Sequence, residues 1–390
     1  MAFSYNLFKR IVKKSLSIVS VGIKLPIISI YRHLPIEDKL VVFDNFNGRG
    51  YGCNPKYIAE ELADSDLRLV WLAEDVNGEF PDYIEPVKYG SLAALRILAT
   101  ARVKVDNVRN FKGVRKRDGQ FFIQTWHGML TFKKLEGQLN PGLLDKLYIR
   151  DAKIDGDTTD LMIANNEWYK KLYEDYFWYK GHTILCGLPR LAPVINPSKE
   201  MIERVRFKLG LQNGQRVLLH APTFRDWDPS FVPHLDYDAI TDALESAFGG
   251  QWTCLLRLHP VTARTAVDGV SPGIKDVTNW PDSQELIAVA DVLITDYSSM
   301  AFECAVAGKP VFLYAPDIDR YGEDSRGFNL TPSDTPFPVS RDMESIEAEI
   351  KNYDKITMEN EYRDFFEKIQ LCEDGLGAKR LAEIVLKHSR

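Results

Sequence analysis

Short apolar runs alternate with amphipathic, capped segments along most of this chain. From Lys39 onward the runs at 40–43, 68–73, 102–105, 121–124, 160–164 and 183–186 have strand length and little interior polarity. Between them, Asn54-Pro55 offers an N-cap with proline at the first helical position, and the pattern predicts helices over 54–62, 91–100 and 167–177. Pro189, Pro193 and Pro197 then cluster, and the alternation restarts. Strands are predicted at 217–220, 253–258, 292–295 and 311–314, and helices near 199–208, 237–248, 283–290 and 300–307. Two successive β/α halves predict two open, Rossmann-like parallel-sheet domains facing a cleft, over 37–190 and 191–390, with the last helices able to pack back on the first domain.

Composition narrows the class. With 45% hydrophobic and 27% charged residues, the 390-residue chain is neither disordered, collagen-like nor a polytopic membrane protein. A net charge of −6 argues against nucleic acid as a partner. The charge is unevenly spread: residues 1–36 hold six cations and no acid, leaving −12 in the remainder. Phe8, Ile11, Val12, Leu16, Ile18, Val19 and Ile23 fall within an arc of about 160° on a helical wheel, opposite Lys9, Arg10, Lys13, Lys14 and Lys24. That pattern suits an interfacial helix on an anionic membrane surface, or a helix packed on the body with a solvated basic face. The apolar stretch is too short for a spanning helix or a convincing signal peptide, and Pro26 and Pro35 suggest a linker. Five widely spaced cysteines without a CxxC pair read as buried thiols.

Candidate chemistry gathers where strands end, which is where open α/β sheets hold ligands. Trp126-His127-Gly128 follows one apolar run, Pro222-Thr223-Phe224-Arg225 a second, Arg257-Leu258-His259 a third and Thr295-Asp296-Tyr297-Ser298-Ser299 a fourth. Ser298-Ser299 at a helix start is either a phosphate site or a plain N-cap. Arg225 and Arg257, arriving from neighbouring strands, favour phosphate. A neutral His127 beside Gly128 could take a proton from an attacking hydroxyl, or be a satisfied structural histidine. His259 could donate to a phosphate oxygen or stabilise a leaving group, with the same structural alternative. His220 is assigned no role. Residues 47–52 (Asn-Gly-Arg-Gly-Tyr-Gly) lack the GxGxxG spacing and read as a mobile loop bordering the cleft. No cluster has convincing metal spacing, Asp155/Asp157 and Asp317/Asp319 reading as loop residues, and no cofactor is expected.

The combined motifs resemble the CDP-glycerol:poly(glycerophosphate) glycerophosphotransferases of teichoic-acid and capsule synthesis. The matching segments are Gln124 to Gly128 with Lys133-Lys134-Leu135, Gly187-Leu188-Pro189-Arg190, Ala221 to Asp226, Arg257 to Pro260, the run from Gln284 through Asp291 and Ser299 to Asp317, Arg326-Gly327-Phe328 and Pro336-Phe337-Pro338. The resemblance implies a GT-B fold, with an acceptor-binding first domain, a second domain that binds the CDP-polyol, and peripheral, monotopic attachment to the cytoplasmic face of the cell membrane. It implies His127 as general base and His259 as a second essential histidine. Gly128, Arg190, Pro222, Thr223, Arg225, Arg257, Ser298, Ser299 and Glu303 stand as donor-contacting candidates, with Glu303 suited to ribose hydroxyls. The chain departs from the commoner pattern after Trp-His-Gly, where Met129-Leu130-Thr131-Phe132-Lys133 is one residue longer.

The function so implied is transfer of glycerol phosphate, or a related polyol phosphate, from CDP-glycerol or another CDP-polyol to a hydroxyl of a polyprenyl-diphosphate-linked glycan or polymer, with release of CMP. The chain length leans toward a primase or a capsule or lipopolysaccharide modifier, and a homo-oligomer is compatible with the sequence. Two rivals are a GT-B glycosyltransferase or epimerase using a sugar nucleotide, and a non-enzymatic membrane-binding module.

Overall fold

The computed structural model describes residues 26–109, 116–139, 142, 144–225, 227–228, 230–259, 262, 273–324 and 327–389. The basic amphipathic segment up to Lys24 lies outside the described residues. At its edge, residues 26–31 are helical rather than linker, with Ile28 buried. Among the described residues no helix is long and apolar enough to cross a membrane.

Thirteen strands are described, in two sheets. The first holds β1 (Glu37–Asp44), β2 (Arg68–Ala73), β3 (Ile84–Lys88), β4 (Ala101–Asp106), β5 (Phe121–Gln124), β6 (Leu161–Ala164) and β7 (His182–Leu185), ordered β3-β2-β1-β4-β5-β6-β7. The second holds β8 (Arg216–Ala221), β9 (Trp252–Leu256), β10 (Ile274–Asp276), β11 (Val292–Thr295), β12 (Val311–Tyr314) and β13 (Val339–Ser340), ordered β10-β9-β8-β11-β12-β13. Every recorded pairing within them is parallel. Strand order therefore reverses between β1 and β4 in one domain and between β8 and β11 in the other, the positions where such sheets receive ligands.

Continuous apolar runs are needed because both faces of a parallel sheet are covered. In β1, Val41 and Phe43 enter one core while Leu40 and Val42 enter another. In β11, Leu293 faces the larger core while Val292 and Ile294 face a second one. The larger core runs through both domains, and the ring centroids of Phe132 and Phe302 lie 5.0 Å apart across the seam. The edge strand β3 carries Pro86 and polar residues, which is why its sequence did not read as a strand. The helix Cys53–Glu61 also begins differently: Cys53 has φ +58°, and the buried Asn54 side chain bonds elsewhere instead of capping.

The final helix, Gly377–His388, leaves the second domain and packs on the first. Arg102 Nε donates to the His388 carbonyl at 2.9 Å, and the His388 ring stacks on Phe121 at 3.7 Å. Leu381 and Val385 are fully buried. At its start Gly377 touches the main chain of Gly187, and a Cβ there would stand 2.7 Å from the Gly187 carbonyl oxygen. Gly→Ala in a helix ordinarily stabilises by up to about 1 kcal/mol. Gly377→Ala is expected to reverse that sign and cost about 1–3 kcal/mol, because backbone cannot move aside as a side chain can. Urea unfolding of the two proteins measures it.

Candidate active site

Two Asp-Asn pairs close the adjacent strands β1 and β4: Asp44-Asn45 and Asp106-Asn107, with Asp44 and Asp106 in register. Asn107 Nδ2 donates to Asn45 Oδ1 at 2.7 Å, and Asn107 Oδ1 accepts from the Phe46 amide at 2.9 Å. Asn45 Nδ2 in turn donates to the Arg49 carbonyl at 2.7 Å. The 47–52 loop is thus cross-braced, with Trp71 Nε1 also bonding the Gly50 carbonyl at 3.2 Å. The loop expected to be a mobile border of the cleft is anchored through these bonds.

The brace ends on His127. The Asn107 carbonyl lies 2.6 Å from His127 Nδ1. A carbonyl can only accept, so Nδ1 carries the proton and the neutral ring keeps its lone pair on Nε2. Trp126, at φ +51°, stacks its ring on His127 at 4.4 Å, and Phe46 packs edge-on at 5.1 Å. Burial pushes the half-buried imidazole down to about 4, with the Arg190 charge adding to the effect and the Asn107 bond opposing it.

Arg190 joins the two domains. Its buried guanidinium donates from Nη1 to the His127 carbonyl at 2.5 Å and to Cys53 Sγ at 3.2 Å, and from Nη2 to Glu303 Oε2 at 3.1 Å. Glu303 also accepts from Gln284 Nε2 at 2.7 Å, while its Oε1 has no partner among the described residues. Burial raises the Glu303 carboxyl above its usual range. Gly128 lies against Ser299: a Cβ at that glycine would stand 3.7 Å from the Ser299 hydroxyl. His127, Gly128, Arg190, Ser299 and Glu303 therefore form one contiguous group.

The other candidates are placed differently. Ser298 Oγ accepts the Met300 amide at 3.3 Å, whereas Ser299 makes no side-chain cap. The helix behind them, Met300–Val306, has only seven residues, so the hydroxyls matter more here than a macrodipole. Pro222 is buried, and the Thr223 amide donates to Asp296 at 2.9 Å. Arg225, expected as a phosphate contact, is fully buried and already occupied. Its Nε and Nη2 donate to Asp317 at 2.6 and 3.0 Å, Nη2 pairs with Asp296 at 2.9 Å, and Nη1 donates to the Thr223 carbonyl at 2.7 Å. Two carboxylates thus take the fork intended for phosphate, and Arg225 pins the β8, β11 and β12 ends together. Arg257 is half-buried, with Nη1 donating to the Trp280 carbonyl at 2.8 Å. His259 is exposed with its ring 5.5 Å from Phe224. His220, left unassigned, is buried with Nδ1 2.7 Å from the Tyr237 hydroxyl.

Sequence reading missed Asn45 and Asn107 and gave no role of this kind to Asp296, Asp317 and Gln284, although the repeated strand-end Asp-Asn was visible. Asp155, expected in a loop, is buried in the helix Lys146–Thr158 and pairs with Arg109 at 3.2 Å. No group of three metal-ligating side chains occurs among the described residues. All five cysteines are free thiols, and Cys372 is exposed rather than buried.

Two parallel sheets whose switch points face one seam, with polar side chains from both domains converging on it, define a two-domain α/β protein built to hold a ligand in an interdomain cleft. Residues 27–387 match the CDP-Glycerol:Poly(glycerophosphate) glycerophosphotransferase family, and the chain belongs to that family. It is 28% identical over 372 residues to a teichoic acid poly(glycerol phosphate) polymerase of Staphylococcus epidermidis, covering 90% of this chain but 51% of that protein, about half its length. A polymerase of the same description from Bacillus spizizenii is 26% identical over 369 residues, covering 90% and 93%. The solved wall teichoic acid polymerase TagF superposes with a TM-score of 0.82 at 27% identity, covering 98% of each chain. A histidine-to-asparagine variant of TagF solved with CDPG gives 0.82 at 26% identity. The fold is accordingly GT-B-like.

Replacing Arg225 by Ala is expected to cost about 3–5 kcal/mol in urea unfolding, because it leaves the buried Asp296 and the partly buried Asp317 without their cation. Unchanged stability with weakened CDP-glycerol binding would restore the direct-contact reading.

Proposed function

We propose that the chain transfers glycerol phosphate from CDP-glycerol, or a related CDP-polyol, to a hydroxyl of a membrane-linked glycan or polymer in teichoic-acid, capsule or related cell-surface polymer synthesis. The observation that carries this reading is the neutral His127, its Nδ1–H committed to the Asn107 carbonyl and its Nε2 without a hydrogen-bond partner among the described residues, beside Gly128 and the Ser299 hydroxyl of the opposite domain. Family membership and the TagF likeness, including its form with CDPG, support the donor.

In the proposed step His127 Nε2 takes the proton of the acceptor hydroxyl as its oxygen attacks the glycerol-bearing phosphorus. The new P–O bond replaces the bond to CMP, which leaves with the electron pair. A neighbouring diphosphate raises the basicity of His127 against the burial that lowers it. The resulting imidazolium is stabilised at Nδ1 by the Asn107 carbonyl. Charge growing on the diphosphate meets Arg257, His259 and the Ser298 and Ser299 hydroxyls, while Arg190 and Glu303 hold the seam against which the nucleoside sits. Pro222, Thr223 and Arg225 shape the strand ends below. The basic segment before residue 36 is proposed to hold the chain on an anionic membrane surface at the cytoplasmic face, near a lipid-linked acceptor.

Offered CDP-glycerol, CDP-ribitol and UDP-sugars separately with a lipid-linked disaccharide, the protein is expected to release CMP from a CDP-polyol and no UDP. UDP release alone would replace this reading with a sugar-nucleotide one. His127→Ala is expected to lower turnover by about 10²–10⁴-fold while CDP-glycerol affinity, read by calorimetry, stays unchanged. Near-normal turnover would remove His127 as the base. Asn107→Ala is expected to lower kcat without changing the donor KM, because the side chain braces the carbonyl that orients His127; a KM change alone would contradict that role.

A further inference from the structure

A second concavity opens along the same interdomain seam. A cavity of about 830 Å³ is walled on one side by the loops that follow β1 and β2, from Gly48 to Tyr51 and from Glu74 to Pro81. On the other side stand Arg204, Lys208 and the stretch from Trp280 to Glu285. Its size is that of a small-ligand site, and an interdomain position at strand ends is where such sites occur.

The two walls are held at a fixed separation. Lys56 Nζ donates to Asp282 and Glu285, both at 2.9 Å, and Tyr57 Oη donates to Asp282 at 2.5 Å. The aromatic floor is rigid as well. The Tyr51 ring packs on Trp71 at 4.7 Å and meets Phe80 edge-on at 5.9 Å, while Trp280 Nε1 is fixed to Glu285 at 3.0 Å. Gly48, at φ +89°, lets the first loop pass Tyr89, where a Cβ would come within 2.8 Å of that side chain.

Charge in the cavity selects the ligand. Lys56, Arg204 and Lys208 are spent on Asp282, Glu285 and Glu79. Glu60, Glu74 and Asp75 line the space with no ion pair among the described residues, against one unpaired cation, Arg49, so acceptor carboxylates outnumber free cations there. Carboxylates accept hydrogen bonds and repel phosphate, so this lining suits hydroxyl donors laid over aromatic rings. Burial raises Glu60 to about 7, which lets that carboxyl donate as well as accept near neutrality. The cavity wall also shares a loop with a residue that touches His127. Phe46, whose ring packs on His127, is two residues from Gly48 in the cavity wall, at most about 7 Å of extended chain.

We propose that this cavity is a subsite for a neutral, polyhydroxylated group, the sugar portion of the acceptor whose hydroxyl reaches His127. The assignment to the acceptor rests on the transfer reaction proposed above; the ligand class rests on the cavity itself.

The test is a binding titration of the full chain with two neutral disaccharides, cellobiose and N,N′-diacetylchitobiose, by saturation-transfer NMR. Glycerol phosphate serves as the anionic probe, and CDP-glycerol is titrated separately by calorimetry. Saturable binding of at least one disaccharide is expected, with glycerol phosphate weaker. The surface variants Glu74→Gln and Asp75→Asn are each expected to weaken the disaccharide about tenfold, the effect of replacing a charged acceptor of its hydroxyl by a neutral one. Phe80→Ala is expected to weaken it too, and all three are expected to leave CDP-glycerol affinity unchanged. Absence of disaccharide binding, binding that the variants do not alter, or preference for glycerol phosphate would overturn the proposal. A loss of CDP-glycerol affinity in these variants would also overturn it by making the cavity part of the nucleotide site. None of these readouts requires turnover, so a protein that binds sugar here yet releases no CMP would refute the reaction and leave the subsite standing.

Discussion

One buried guanidinium connects the two halves of the site. Arg190 bonds the main chain of His127, the thiol at the start of the Cys53–Glu61 helix, and Glu303 of the opposite domain. Removing an arginine from water costs several kcal/mol even after relaxation, and only a full set of partners offsets it. Here the partners belong to both domains, so the geometry around His127 and the closure of the seam are coupled. Glu303 would be left as an uncompensated buried carboxylate without Arg190, with Gln284 as its only other hydrogen-bond partner among the described residues.

The coupling bears on the base role proposed for His127. An exposed imidazole is protonated in part near pH 6.5 and can take either neutral tautomer. Here burial and the Arg190 charge disfavour the protonated form, and the Asn107 carbonyl selects the Nδ1–H tautomer. Asn107 itself is held by Asn45 and by the Phe46 amide, so the adjacent ends of β1 and β4 act as one rigid support. The same loop continues into the wall of the second cavity, which places proton transfer and the proposed sugar recognition on a single braced segment.

Much of the fold was legible because parallel strands buried on both faces must be continuous apolar runs. β2, β5, β11 and β12 fall where the pattern put them. What escaped has physical causes. β3 is a proline-bearing edge strand, β10 and β13 have three and two residues, and their pairing comes from tertiary contact rather than local pattern. At the site, residue types pointed to the strand ends, but partners could not be read from them. Arg225 has the right chemistry for phosphate, and the structure gives its fork to Asp296 and Asp317, which lie 71 and 92 positions away in sequence. Asn107 acts through its main-chain carbonyl, for which sequence carries no signature beyond the repeated Asp-Asn.

The most direct test of this arrangement is the protonation state of His127 itself. With ¹⁵N-labelled histidine, and His127→Gln to assign the signal, NMR reads both tautomer and titration midpoint in the unliganded protein. An Nδ1–H neutral ring titrating well below 6.5, toward about 4, is the expected result. A midpoint at or above 6.5 would contradict the effect of burial, and a proton on Nε2 would leave the proposed base nitrogen without its lone pair; either would contradict the account.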